Sequence, residues 1–175
     1  MPSSMIRYLD LEFVRLTIIP VIRNIFEQYH EPVPQYEDDI DGLRKLEGCL
    51  ERVKFQYYST LVSKAAALFI SINLGHYFSN GNKRLALGVL VTFLVENHVH
   101  FLNLSSESYQ QLITDLFPYY MVLHEQQLTG LDYGYYHLAV AVADSKRAGM
   151  LHETLKQRVE AFILATTDAE RANSH

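Results

Sequence analysis

The sequence has 175 residues and a single cysteine, Cys49. One thiol excludes an internal disulfide and fits a reducing compartment. Cys49 falls in an apolar helical row, where core packing accounts for it better than catalysis does. Long apolar runs are also missing. None reaches the ~18 residues that a membrane span requires. Arg7, Asp10 and Glu12 interrupt the N-terminal region, so no signal peptide is expected. Positive charge is scarce: 15 Lys and Arg face 20 Asp and Glu, a formal net charge of −5. Broad electrostatic attachment to nucleic acid is therefore not expected. Repeats, low-complexity tracts and internal domain boundaries are absent as well. What remains, 49% hydrophobic residues over this length, suits one globular domain with an ordinary core, expected in the cytoplasm.

The chain is organised around His76-Tyr77-Phe78-Ser79-Asn80-Gly81-Asn82-Lys83-Arg84. An Ala- and Leu-rich stretch from Ser63 to Leu74 precedes it, and a second apolar stretch from Leu85 to Val95 follows. Asn80-Gly81 is a turn signal, because both residues tolerate positive φ. A tight loop thus delivers Asn82, Lys83 and Arg84 to a helix start. Cations in a first turn oppose the helix dipole, so they make poor helix starts on stability grounds alone. They make sense if an anion such as phosphate sits on the unpaired N–H groups. His76 places a proton acceptor suited to neutral pH beside that hole. Phe78 reads as the anchor that pins the loop to the core. The bland alternatives are a hairpin at Asn80-Gly81 and an ordinary surface histidine. Neither explains the whole set in one frame.

The stretch resembles the H-x-F-x-[DE]-[GA]-N-[GK]-R motif of the Fic/Doc (death-on-curing) family. Lys83 resembles the Doc branch, where AMP-transferring Fic relatives carry Gly. Tyr57 to Leu61, Lys64 to Leu68 and Phe93 to Asn97 extend the resemblance, which covers about Leu43 to Leu104. It implies ATP-dependent modification of a hydroxyl on a target protein. His76 would be the general base, and Gly81, Asn82, Lys83 and Arg84 would hold phosphate. Phosphoryl transfer, as by a Doc-like kinase toxin, is the first expectation. AMP transfer and a catalytically silent nucleotide- or partner-binding module stand as alternatives. The family's metal-binding carboxylate position is Asn80 here, a weaker ligand, so Mg²⁺ is expected mainly through ATP phosphates. A second Arg of the AMP-transferring branch is replaced by Leu87. Thr92 to Asn97 fits the family's inhibitory pattern, but lies on the helix after the loop and cannot fold back on its own start. Inhibition is therefore expected from an antitoxin protein acting in trans.

The expected fold is all-α, a compact bundle of six to eight helices with room for one small hairpin. It is one domain over 1–175, with a loose tail at 1–8, a family-like core at 10–128, C-terminal helices at 132–166 and frayed residues at 167–175. Asp10 is expected to cap a helix running to about Tyr29, with Phe13, Leu16, Ile19, Ile22, Ile25 and Phe26 inward and a kink or split at Pro20. Glu31 to Asp39 reads as a proline-rich acidic loop in solvent. Leu43, Leu46, Leu50 and Val53 space as one helix face. Ser59 or Thr60 caps the helix before the motif. That helix and the one after it are apolar nearly all round, so both should be central. His98 to Leu102 is expected to be extended, and His98 with His100 is too small a set for a metal site. Further helices are expected from Ser105 or Ser106 to Phe117, from Tyr133 to Lys146, and from Leu151 to Leu164 with Leu151, Leu155, Val159 and Phe162 on one face.

Overall fold

The computed structural model describes residues 6–121 and 128–172. Among them the fold is all-α. Seven helices have ten residues or more, and the only extended pairing is one antiparallel bridge between Phe101 and Thr167. No hairpin forms at Asn80-Gly81, because Gly81 leads directly into a helix.

Asp10 starts the chain's first helix by accepting the Phe13 N–H at 2.7 Å. α1 (Leu11–Phe13) runs through a π-helical turn (Val14–Ile18) into α2 (Ile19–Gln28), with Pro20 in the first turn of α2. The π turn inserts a residue into the helical period and rotates the apolar stripe. Val14, Ile18, Ile22 and Phe26 therefore face the core, whereas Leu16, expected inside, is 71% exposed. α3 (Ile40–Arg52) is capped by Asp39 and buries Leu46, Cys49 and Leu50. Burial pushes the Cys49 thiol pKa up, as suits a packing residue.

α4 (Leu61–Leu74) is capped by Thr60, whose hydroxyl accepts the Ser63 N–H at 3.0 Å. Of its 14 residues 12 are buried, so α4 is the central rod of the bundle. Its Lys64 is buried too. The ammonium donates to the carbonyls of Val53 at 2.6 Å and Phe55 at 3.0 Å, satisfying the end of α3. α5 (Asn82–Glu96) packs along α4 and buries Leu85, Ala86, Val89, Leu90, Phe93 and Leu94. α6 (Ser106–Leu116), α7 (Gly130–Asp144) and α8 (His152–Thr166) close the far side. α7 starts ahead of the expected Tyr133, because Thr129 is extended and Gly130 turns at φ 55. Leu151 is 74% exposed as the residue before α8, so it does not join the apolar face of Leu155, Val159 and Phe162.

Two terminal expectations are corrected. Ile6 and Tyr8 pack on the core, and the Arg7 backbone bonds the Asn97 side chain at 2.8 and 2.9 Å, so 6–8 is not a loose tail. Residues 1–5 lie outside the described residues. Past Thr166 the chain does not fray at once. Thr167 bridges Phe101, Asp168 accepts the His100 N–H at 2.7 Å, and Ala169–Ala172 forms α9. Residues 173–175 lie outside the described residues. The same clip engages His100, while His98 ends α5 in the left-handed region at φ 60. No group of three or more potential metal ligands occurs among the described residues. No helix there is long and apolar enough to cross a membrane.

Candidate active site

Seven expected site residues lie on the short connection between α4 and α5 (His76, Phe78, Asn80 and Gly81) and in the first turn of α5 (Asn82, Lys83 and Arg84). His76 opens it with φ 46, an uncommon value for a residue with a side chain. Its ring is exposed and has no hydrogen-bond partner among the described residues. Phe78 is 4% exposed and meets the Tyr36 ring edge-on at 4.9 Å. Gly42 on α3 makes room for this anchor, because a Cβ there would lie 2.7 Å from the Phe78 ring.

Asn82 closes the loop. Its amide oxygen accepts the Phe78 N–H at 3.0 Å, and its amide nitrogen donates to the Phe78 carbonyl at 2.6 Å. Both ends of that side chain are thus engaged in shaping the loop. Asn80, exposed, bends back onto the chain: its Oδ1 accepts the Gly81 N–H at 2.7 Å. This leaves one neutral oxygen, already in use, at the expected metal position. That donor set does not suit a resident cation.

Gly81 sits at φ 78 immediately before α5, and no side chain caps the helix. The first ladder bond is Leu85 N–H to the Gly81 carbonyl at 3.0 Å. The N–H groups of Asn82, Lys83 and Arg84 therefore precede the ladder, at the positive end of the helix dipole. Lys83 is exposed, with no partner among the described residues. Such an arrangement can hold an anion and neutralise it.

Arg84 is already occupied. Its guanidinium donates to both carboxylate oxygens of Glu31, at 2.9 and 2.6 Å, and lies 4.0 Å from the Phe26 ring centroid. The hydrogen bond from Arg84 holds the Glu31 carboxyl below the usual carboxylate range. The pair is therefore complete at neutral pH and is lost only as pH falls through that lowered value. Glu31 reaches this place because α2 ends in a Schellman turn. His30 takes φ 54, and the Glu31 N–H bonds the Phe26 carbonyl at 2.9 Å.

The acidic loop is thus a strap across the site and not merely a solvated run. Tyr36 in it is fully buried and donates its hydroxyl to the Gly81 carbonyl at 3.1 Å. Burial pushes the Tyr36 pKa far up, so it remains a donor. Glu37 pairs with Arg23. Sequence reasoning passed over Glu31, Tyr36 and Gly42. Only the proline and aromatic content of the strap hinted that it is more than a linker.

Glu31 neutralises Arg84 in an exposed pair, and such pairs contribute little, roughly 0–1 kcal/mol. Glu31→Gln should therefore free the guanidinium at small structural cost. We expect tripolyphosphate to bind the variant about 3–10-fold more tightly, as read by titration calorimetry. Unchanged or weaker binding would make Glu31 a support for Arg84 and not a competitor for it.

A sequence model of the Fic/DOC family matches residues 14–94, from the π-helical turn through most of α5, and supports that family for this chain. No curated protein and no solved structure matches the chain.

Proposed function

Taking that family as the premise, we propose that this protein is a transferase that uses ATP to modify a hydroxyl on a target protein, and that it moves the γ-phosphoryl group. One observation carries the reading: an exposed His76 opens a clamped loop that ends on uncapped helix N–H groups, where Lys83 has no partner among the described residues. His76 takes the proton of a Ser, Thr or Tyr hydroxyl. The hydroxyl oxygen bonds to the γ-phosphorus as the bridging β–γ P–O bond breaks, and ADP leaves. The backbone N–H groups of Asn82 and Lys83 cradle phosphate oxygens. Lys83 and, once released from Glu31, Arg84 offset the charge that develops. Asn82 acts through the loop, holding it in shape. Phosphoryl transfer depends chiefly on such positioning, so this small set suffices.

Two residues support γ-phosphoryl over AMP. Lys83, exposed at the start of α5, adds side-chain bulk and a positive charge where a triphosphate would extend through the hole. Leu87, partly buried against the core, supplies no cation for a terminal phosphate beyond it. Thr92 to Asn97 supports no inhibitory role: Glu96 and Asn97 end α5 and engage Arg7. A toxin restrained by an antitoxin protein in trans fits this reading. Any Mg²⁺ would arrive on the nucleotide.

The test incubates the protein and a host lysate with ATP labelled at the α or the γ position. Label on protein from γ-ATP alone, with a phosphoryl mass gain, is expected. Label from α-ATP with an AMP mass gain would replace the assignment by AMP transfer. No transfer, with ATP still bound, would leave a binding module.

A further inference from the structure

A cleft of about 350 Å³ opens beside the motif loop, walled by Pro34 and Asp38 of the strap, Asp39 and Ile40 at the start of α3, and Phe78 and Ser79 of the loop itself. We propose that this cleft is the acceptor subsite, and that it selects target segments with a lysine or arginine next to the modified hydroxyl. This inference rests on the transferase reading above.

The cleft is preformed. Its Phe78 wall is fixed by the core and by the Tyr36 ring, and Pro34 is buried. Two of its walls, Phe78 and Ser79, belong to the same loop as His76 and follow it by two and three residues. Its charge is negative. Asp38 is exposed and has no cationic partner among the described residues. One oxygen of Asp39 caps α3 through Gly42 N–H at 2.8 Å, which leaves the other available. The arginines of this neighbourhood are engaged elsewhere, Arg23 on Glu37 and Arg84 on Glu31. Lys83 and the positive end of α5, which do not line the cleft, follow the loop at its other end. The site is therefore polarised. Phosphate is drawn to the helix end and repelled from the cleft, while a cationic peptide experiences the reverse. Ile40, 71% exposed at the rim, offers apolar surface to the aliphatic stem of a Lys or Arg whose charged end reaches Asp38.

The experiment uses fluorescein-labelled peptides with a central serine flanked by lysine, alanine or glutamate. Binding is read by anisotropy without nucleotide, on wild type, Asp38→Asn and Asp38→Lys. Asp38 makes no hydrogen bond or ion pair among the described residues, so thermal melts of the three proteins should coincide. Wild type should bind the lysine peptide about 10-fold more tightly than the glutamate peptide, Asp38→Asn should lose about 3–5-fold of that, and Asp38→Lys should reverse the order. In the transfer assay, Asp38→Asn should raise KM for the lysine peptide and leave kcat unchanged. Equal binding of all three peptides by wild type, or an unaltered order in Asp38→Lys, would overturn the subsite. A charge-dependent binding order without any transfer from ATP would uphold the cleft and refute the transferase reading instead.

Discussion

His76→Ala is expected to lower transfer by about 10²–10⁴-fold, the usual cost of removing a general base. The loss should fall on kcat. KM for ATP should hold, because in the proposed function the phosphate contacts come from Lys83, Arg84 and the α5 N–H groups and not from the imidazole. The fold should survive, since His76 is exposed and bonds no other group among the described residues. Its backbone, at φ 46, is the one structural complication. Alanine is less at ease there than asparagine, which enters the left-handed region more readily. His76→Asn therefore serves as the companion variant: it keeps a polar side chain and the turn, and lacks the base. Single-turnover transfer from γ-labelled ATP, with a thermal melt of each variant, checks both points. Wild-type turnover in His76→Asn would remove His76 from the chemistry. Loss of turnover accompanied by a collapse in melting temperature in both variants would make its role structural.

Gly81→Ala is expected to damage the site and the fold together. Gly81 has φ 78, where a side chain is strained by about 1–2 kcal/mol. A Cβ there would also overlap the Tyr36 hydroxyl and come within 2.8 Å of Pro34 Cγ. Tyr36 cannot easily give way, because it is fully buried and packs on Phe78. The strap must shift, and with it the Tyr36 bond to the Gly81 carbonyl. For a chain of this size each kcal/mol shifts the melting temperature by about 2–4 °C, so the strain alone gives a fall of about 2–8 °C, and the clash with Tyr36 adds to it. Tripolyphosphate binding should weaken at the same time, since the turn that starts α5 is displaced. A variant that melts within about 1 °C of wild type and binds tripolyphosphate normally would show that the turn tolerates a side chain and that the strap moves freely.

The difference between these two variants mirrors what sequence can and cannot convey. His76 and Gly81 are legible one residue at a time. A histidine before an Asn-Gly turn, followed by Lys and Arg at a helix start, states its local geometry in its spacing, and the turn at Gly81 and the start of α5 follow it. Tyr36 and Glu31 are not legible in that way. They stand 45 and 53 residues from Gly81 and Arg84 respectively, and nothing in their own neighbourhood marks either as part of a site. The strap reads as a solvated acidic loop because local composition reports exposure and turn formation, not the partner brought opposite by folding. Leu16 fails for a related reason. Its spacing is right for an unbroken α-helix, but the π turn at Val14–Ile18 adds one residue to the period and turns it to solvent. Residues 167–172 looked like a fraying end because pairing with the His100–Leu102 segment is a long-range event.

By itself the sequence determined the helical class, the cap at Asp10, the choice of Ser59 or Thr60 and of Ser105 or Ser106 for two later caps, the central place of the two apolar helices, and the tight turn between them that leads into Asn82, Lys83 and Arg84. These follow from periodicity, capping chemistry and turn preference, all of which act over a few residues. Only the tertiary structure decided that the acidic strap lies over the loop, that Glu31 occupies Arg84, that Tyr36 and Gly42 support the turn, and that Asp38 faces a cleft beside Phe78. Those arrangements depend on how α2, α3 and α5 converge on one end of α4, and no local pattern encodes a distance between residues so far apart in the chain.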